Sequence, residues 1–394
     1  MSADRVVIVG GGVVGSSIAW HLLERGFRGD VAVVERDPSY RRASSFLAMG
    51  GVRQQFSSAA NVRLAQHSIR FYQGFDARMR TAEHRPRAWF RQRGYLFLAD
   101  AASARRFERR YERQRELGAR VERLDVGAIR GLVPDLHLED IEFGLFGPDD
   151  GYANPREVLA GFRHAAAAAG AAYVTGEVSR VDAAQDRVAG VTLDDGRAIE
   201  ARAVVNAAGP FAATLAARAG VELPVTPVRQ HLFRCALPHR WPHRFPVVVD
   251  PGGVHWRHDD PSAPEDADRI VVACTNLDEP PGENFVADAD RWTDVVRPPL
   301  VARLPAFEAA ELVEAWAGLY EMTPDHNPLL GEHPDLGGFV LANGFSGHGL
   351  MMAPATGAAM AELLTTGAST TLDIAAFDPG RFARGESFHD DAMI

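Results

Sequence analysis

The chain has 394 residues, enough for two or three domain-sized units, with 46% hydrophobic and 24% charged residues. A net charge of -10 argues against a nucleic-acid partner, no apolar run is long enough to span a bilayer, and the two cysteines, Cys235 and Cys274, form neither a disulfide framework nor a paired metal motif. All 42 basic residues are arginine, so no lysine amine is available for a Schiff base, for attracting oxygen or for gripping a carboxylate.

The first apolar strand begins within five residues of the N-terminus, which leaves no room for a targeting segment and makes a cytoplasmic location the expectation. Val6 to Gly15 reads VVIVGGGVVG, a strand running into a Gly-x-Gly-x-x-Gly turn. Gly10 permits the tight turn, Gly12 lets backbone approach a pyrophosphate, and Gly15 lets the following helix pack on the strand. The amides at that helix's N-terminus favour the phosphate charge. Ile18, Ala19, Leu22 and Leu23 share one helical face, and Gly26 supplies a left-handed stop. Glu35 ends the second strand, where a carboxylate binds both hydroxyls of an adenosine ribose and repels a 2'-phosphate, so the unit takes FAD or NAD rather than NADP.

An amphipathic helix is expected from Ala59 to about Met79. Residues 85 to 145 change in texture, with a candidate strand pair around Arg93 to Leu98 and an arginine-rich helix from Ser103 to Leu117 that reads as a solvated face laced with i,i+4 pairs. Alternating α/β character returns with a helix from Arg156 to Ala169, a strand at Ala172 to Thr175, a hairpin around Asp194 to Gly196, a strand at Ala203 to Asn206 and a helix from Phe211 to Ala219. Residues 220 to 322 are β-rich, with strands near Val225 to Cys235, Phe245 to Asp250, Gly253 to Arg257 and Ile270 to Asn276, and loops marked by Pro261, Pro264, Pro280 and Pro281. A last α/β return follows at Phe339 to Asn343, with a helix from about Pro354 to Thr366. The expected fold class is α/β plus α+β. A Rossmann-like nucleotide domain is assembled from discontinuous segments, 1–84, 146–219 and 323–394, and a mixed β-sheet substrate domain comes from 85–145 and 220–322.

Three pieces stand out together: the N-terminal GGGVVG with Glu35, the NAAGP at Asn206 to Pro210, and the NGFSGHGLMMAPATG at Asn343 to Gly357. As a set they resemble the D-amino-acid oxidase superfamily of FAD enzymes, in particular its sarcosine oxidase, glycine oxidase and dimethylglycine dehydrogenase branch. The stretches SSFLAMGGVRQQFS (Ser44 to Ser57) and WAGLYEMTPDHNP (Trp316 to Pro328) are similar to the sarcosine oxidase β-subunit type and to mitochondrial FAD-dependent oxidoreductase-domain proteins.

The resemblance implies FAD, with Gly10, Gly12 and Gly15 on the pyrophosphate, Glu35 on the ribose and Arg36 beside the adenine. It places Ser44 and Ser45 at the phosphates and Met49, Gly50 and Gly51 along the isoalloxazine ring. Val178 falls in the adenine pocket and Ala208 and Gly209 at a small-residue cofactor turn. Gly344, Gly347, His348, Gly349, Leu350 and Met351 run along the pyrimidine end, where helix amides favour negative charge. Gly318 stands where monomeric sarcosine oxidases carry a flavin-linking cysteine, and the Ser44–Ser45 loop lacks the linking histidine of dimethylglycine dehydrogenases, so the flavin is expected to be non-covalent.

Arg53 is the expected substrate anchor, its planar fork holding a carboxylate; the plainer reading is an interdomain ion pair. Tyr320 is expected in the pocket or in the core. His348 is expected to position flavin or backbone more than to move a proton, and His255 or Arg257 to line the pocket from a shared strand face. His231 and His326 are weaker candidates. The family's lysine after Gly-His-Gly is replaced by Met351, and Met351 with Met352 predicts a more apolar wall.

The expected reaction is oxidation of the C–N bond of an amino acid, in particular a secondary or N-methyl amine, by hydride transfer to flavin N5 to give an imine. A 2-hydroxy-acid or D-amino-acid dehydrogenase, and a non-catalytic flavin-binding assembly protein, are the alternatives. The expected partners are the small-molecule amine, oxygen or another electron acceptor, and a partner subunit or second copy; no metal, nucleic acid or membrane span is expected.

Overall fold

The computed structural model of the chain describes residues 4–238, 241, 243–259, 269–276 and 278–390. A six-stranded sheet is ordered Leu329–Glu332, Phe339–Asn343, Ala203–Asn206, Arg5–Val9, Asp30–Glu35, Ala172–Thr175. Every neighbouring pair is parallel except the first, Leu329–Glu332 against Phe339–Asn343. Val6, Val7, Ile8, Val204 and Val205 are completely buried because both faces of this sheet are covered, which is why its central strands read as continuous apolar runs.

One face packs on the helices Val13–Glu24, Ala59–Tyr72, Pro155–Ala168 and Gly349–Thr366. The other is covered by a three-stranded antiparallel sheet, Ala198–Glu200, Arg187–Leu193, Val178–Ala184, through Val181, Val188 and Val191. The hairpin at Gly196 and the left-handed Gly26 after the first helix both appear as the sequence predicts.

The second large sheet has eight strands in the order Glu311–Met322, Thr226–Ala236, Arg269–Cys274, Val254–His258, Val247–Val249, Tyr95–Asp100, Ile141–Gly147, Glu122–Leu124. Its register aligns His255, Ala273, Leu232 and Trp316 across four strands, with Gln230 opposite Gly318 and Val228 opposite Tyr320. The alternate residues, Phe233, Trp256 and Val272, pack on Trp292, Leu300 and Phe307. Strand Ile141–Gly147 runs two residues past the division expected at 145/146.

Several local expectations change. The helix from Ala59 ends at Tyr72, and a separate short helix, Phe75–Arg78, follows Gly74. The C-terminal helix starts at Gly349, five residues before Pro354, which lies inside it. A proline there removes one helical donor to the carbonyl four residues back. That carbonyl, on Leu350, instead accepts a 2.6 Å hydrogen bond from the Tyr72 hydroxyl. The Glu311–Met322 and Leu329–Glu332 strands were not expected, the first because its Ala- and Gly-rich middle masks strand alternation. In the Arg-rich helix, Ala104–Glu116, Arg113 pairs with Glu116 at i,i+3 and Glu108 reaches outside it to Arg123. Pro261 and Pro264 lie outside the described residues.

Candidate active site

One elongated cavity runs from Glu35 and Arg36 at the carboxyl edge of the six-stranded sheet to Arg53, His255, Tyr320 and His348 against the face of the eight-stranded sheet. The end against the six-stranded sheet is built on glycine. Gly10 has φ +105°, and a Cβ there would stand 2.3 Å from the Ala207 carbonyl oxygen, so the turn and the Ala207–Gly209 segment touch through bare backbone. At Gly12, by contrast, a Cβ would meet nothing nearer than Ser45 Oγ at 3.7 Å, leaving this backbone open to the cavity. Gly15 is a correction: it does not line the cavity but packs beneath it, where a Cβ would fall 1.9 Å from Gly10 O. Its role is helix-to-strand contact, the third function of the fingerprint.

Glu35 accepts hydrogen bonds from the amides of Gly11 at 2.8 Å and Asp37 at 2.9 Å. Burial pushes its carboxyl up, against the pull of those two amides. Arg36 lies over the Phe211 ring at 3.6 Å, and Val178 lines the same end, where Arg218 bonds Glu177 at 2.7 Å. Tyr40, Phe211 and Arg218 were not anticipated from the sequence; only the positive φ of Tyr40, +57°, marks its position, and that is invisible in the chain itself.

The Ser44–Gly51 segment crosses the middle of the cavity and is pinned at several points. Ser44 donates to Leu319 O at 2.7 Å, Trp316 Nε1 donates to Leu47 O at 2.8 Å, and Arg257 Nε donates to Met49 O at 2.7 Å. Ser45 Oγ accepts from the Val13 amide at 3.4 Å, and the Ala153 amide donates to Gly50 O at 2.9 Å. Met49, Gly50, Gly51, Ala208, Gly209 and Gly318 all line the cavity.

Opposite this segment, the 18-residue helix Gly349–Thr366 presents its N-terminus, with no side-chain cap, and Gly347, His348, Gly349, Leu350 and Met351 line the cavity. Its unpaired first-turn amides and dipole favour negative charge there. Two expectations fail in detail. Gly344 stands behind the lining, φ +76°, donating its amide to Glu321 Oε2 at 2.9 Å. Met352 turns into the core, so of the two adjacent methionines only Met351 lines the cavity. Glu321, unanticipated although it follows Tyr320, is a buried acid in the lining; burial pushes it up to about 7 while the amides of Gly344 and Phe345 hold it down.

Arg53 is 1% exposed and stands on two aromatic faces, 4.3 Å from the centroid of Phe56 and 5.5 Å from that of Phe97. Its Nη1 donates to Gln55 O at 2.8 Å and its Nη2 lies 3.2 Å from His348 Nε2. Asp150, completely buried, accepts from Gln54 N at 2.9 Å and Gln55 Nε2 at 3.1 Å and so fixes the backbone that holds the guanidinium. Burial, then the Arg53 cation, pushes His348 down to about 3. Burial lowers His255, whose Nδ1 lies 3.0 Å from Gly253 O, and raises Tyr320. Arg53, His255, Tyr320 and His348 therefore meet at one end as a cation, two neutral imidazoles and a neutral phenol.

The weaker candidates separate from this group. Arg257 turns from the main cavity into a second one behind Ala48, over the Tyr152 ring at 4.8 Å. His231 touches the main cavity, but its ring is stacked on Phe233, on the sheet's other side; His326 does not line it. Among the described residues, no helix is long and apolar enough to cross a membrane.

The residues fit a dinucleotide. An open backbone at Gly12 lies beside a helix N-terminus, with a carboxylate at one end and a second helix N-terminus at the other. Comparison with known proteins names it. Residues 5–363 match the DAO family, described as FAD dependent oxidoreductase. The chain belongs to this family: it is an FAD-dependent oxidoreductase with FAD as its cofactor. It is 32% identical to FAD-dependent oxidoreductase domain-containing protein 1 of Xenopus laevis, over 96% of this chain and 82% of that protein. It is 30% identical to the glycine oxidase of Geobacillus kaustophilus (strain HTA426), over 94% of this chain and 95% of that protein. The structure of L-proline dehydrogenase from P. horikoshii superposes with a TM-score of 0.88 at 30% identity, covering 98% of this chain and 99% of that one.

Proposed function

We propose that the chain oxidises the C–N bond of a carboxylate-bearing amine, in particular a secondary or N-methyl amino acid, to an imine that water then hydrolyses. The observation that carries this reading is the guanidinium of Arg53 at the inner end of the cofactor cavity, mounted on Phe56 and Phe97 and held by Gln55 and His348. A rigid planar fork in a dry site binds a carboxylate in bidentate fashion and fixes the carbon that carries nitrogen. Burial is the largest influence on Arg53, lowering its pKa, so an incoming anion offsets a desolvation cost already present.

Bound FAD supplies the two-electron acceptor. The protein's part is orientation and dryness. Neutral His348 accepts from Arg53 rather than competing with it for the carboxylate, and Tyr320 and His255 present neutral dipoles to the substrate. The same burial disfavours an ammonium ion, so the amine binds in its neutral form with its lone pair available. A relative named for L-proline, a secondary amine, and another named for glycine support an amino-acid substrate class. We hold the flavin to be non-covalent, since Gly318 has no thiol and Ser44 and Ser45 no imidazole. Anaerobic bleaching of the oxidised flavin by N-methyl amino acids tests the proposal, and bleaching by matched 2-hydroxy acids alone would replace it with C–O oxidation.

A further inference from the structure

Tyr95 opens the strand Tyr95–Asp100, and its ring faces the same way as Phe97, against which it stacks at 5.7 Å between centroids with a 25° interplanar angle. The residue is 3% exposed and lines the main cavity. Its position is fixed at both ends. Its carbonyl accepts from Gln55 Nε2 at 3.0 Å, and its hydroxyl oxygen lies so close to Gly51 that a Cβ there would sit 2.5 Å from it. Gly51 precedes Arg53 by two residues, all three residues line the cavity, and the Tyr95 ring and the Arg53 guanidinium both contact Phe97. The hydroxyl makes no hydrogen bond to any described residue, yet it is not sealed from the cavity space as a buried orphan would be. A phenol so placed without a protein partner is a cost unless something else satisfies it. Arg53 is the charge that most strongly opposes burial in setting the Tyr95 pKa, and Tyr320 is the next group felt.

We propose that the Tyr95 hydroxyl donates a hydrogen bond to the substrate carboxylate beside Arg53, making it a specificity-determining residue of the site. The proposal rests on the amino-acid reading above. A carboxylate held by Arg53 has acceptor capacity beyond the two oxygens' bonds to one fork, and a neutral donor adds a charge-assisted bond without adding a second cation. This chain has no lysine for that second contact.

The test uses the FAD-loaded full-length protein and its Tyr95→Phe and Arg53→Met variants. Perturbation of the flavin absorption spectrum is titrated with a non-oxidisable monocarboxylate, acetate, and with acetamide as the uncharged isostere. Loss of one hydrogen bond to an ionised group predicts a roughly 10- to 100-fold weaker acetate Kd in Tyr95→Phe. It also predicts little change for acetamide, unchanged FAD retention, and a matching rise in KM for the amino acid with a smaller change in kcat. Unchanged acetate affinity in Tyr95→Phe, with Arg53→Met impaired, overturns the role of Tyr95 and leaves the amino-acid reading standing. Altered FAD retention or an altered resting flavin spectrum, without loss of acetate affinity, also overturns it and assigns the hydroxyl to the cofactor. Failure of acetate to perturb the wild-type flavin, together with failure of every amino acid to reduce it, rejects the parent reading instead.

Discussion

Arg53 Nη2 lies 3.2 Å from Nε2 of His348, joining residues 295 positions apart. The contact links the segment that crosses the cavity to the N-cap of the helix that faces it. Because the imidazole is neutral, it accepts from the guanidinium and orients it without neutralising it. The pair makes the inner end of the cavity a fixed cationic socket.

Arg53→Met removes the fork while keeping an apolar side chain of comparable length. Flavin reduction by carboxylate substrates should slow by at least about 100-fold at sub-saturating concentration, as expected for a lost charge-assisted pair. FAD content should stay near wild type. Stopped-flow anaerobic reduction with a parallel flavin assay measures both; an unchanged reduction rate removes Arg53 from the site.

The buried histidines predict an acid-sensitive fold. His348 and His21 are each lowered from 6.5 to about 3, chiefly by burial. The unfolded chain therefore binds more protons than the folded one between those values, and stability falls as pH drops from about 6.5 toward 3. His348→Gln keeps a neutral acceptor and removes one titrating group. Urea denaturation at pH 7 and pH 5 should show a smaller loss in the variant than in wild type; equal losses would mean that His348 does not contribute.

Gly12→Ala and Gly15→Ala should separate cofactor binding from folding. At Gly12 a methyl meets only open space and Ser45 Oγ, so the apoprotein should lose about 1 kcal/mol or less while FAD affinity falls 10-fold or more. At Gly15 a methyl collides with the Gly10 carbonyl, and thermal unfolding of the apoprotein should show a loss of about 1–3 kcal/mol. Equal effects of the two changes on apoprotein stability would contradict this division.

Tyr72→Phe leaves the Leu350 carbonyl without the donor that replaces the amide missing at Pro354. The expected cost is about 1–3 kcal/mol of stability, measured by denaturant unfolding. Proline removal by Pro354→Ala in the same background should recover part of it, since the helical amide returns.

Much of this arrangement is legible in the chain because local rules and tertiary demands agree. Val6 to Gly15 and Glu35 carry strand, turn, helix and acid in one register, and Ala208, Gly209, Gly347 and Gly349 bring small residues to the cavity lining. Residues governed by distant partners are less legible. Pro354 signals a helix start, and only the Tyr72 hydroxyl, far away in sequence, explains why the helix begins earlier. Tyr95 sits in an apolar run that reads as core, and the same run does bury its ring; only the cavity beside Gly51 gives the hydroxyl a meaning. Gly15 and Met352 show the same limit, since face and depth are decided by the element packed against them.

In the proposed reaction Arg53 presents a carboxylate-bearing amine to the flavin, and this role has a direct test. It is tested most directly by anaerobic reduction of the purified holoprotein with N-methyl amino acids and proline, alongside 2-hydroxy acids of the same carbon skeleton. At least one secondary amino acid should bleach the oxidised flavin fully, its hydroxy counterpart should not, and Arg53→Met should lose the response. Bleaching by the hydroxy acid alone, or a response that survives in Arg53→Met, would contradict it.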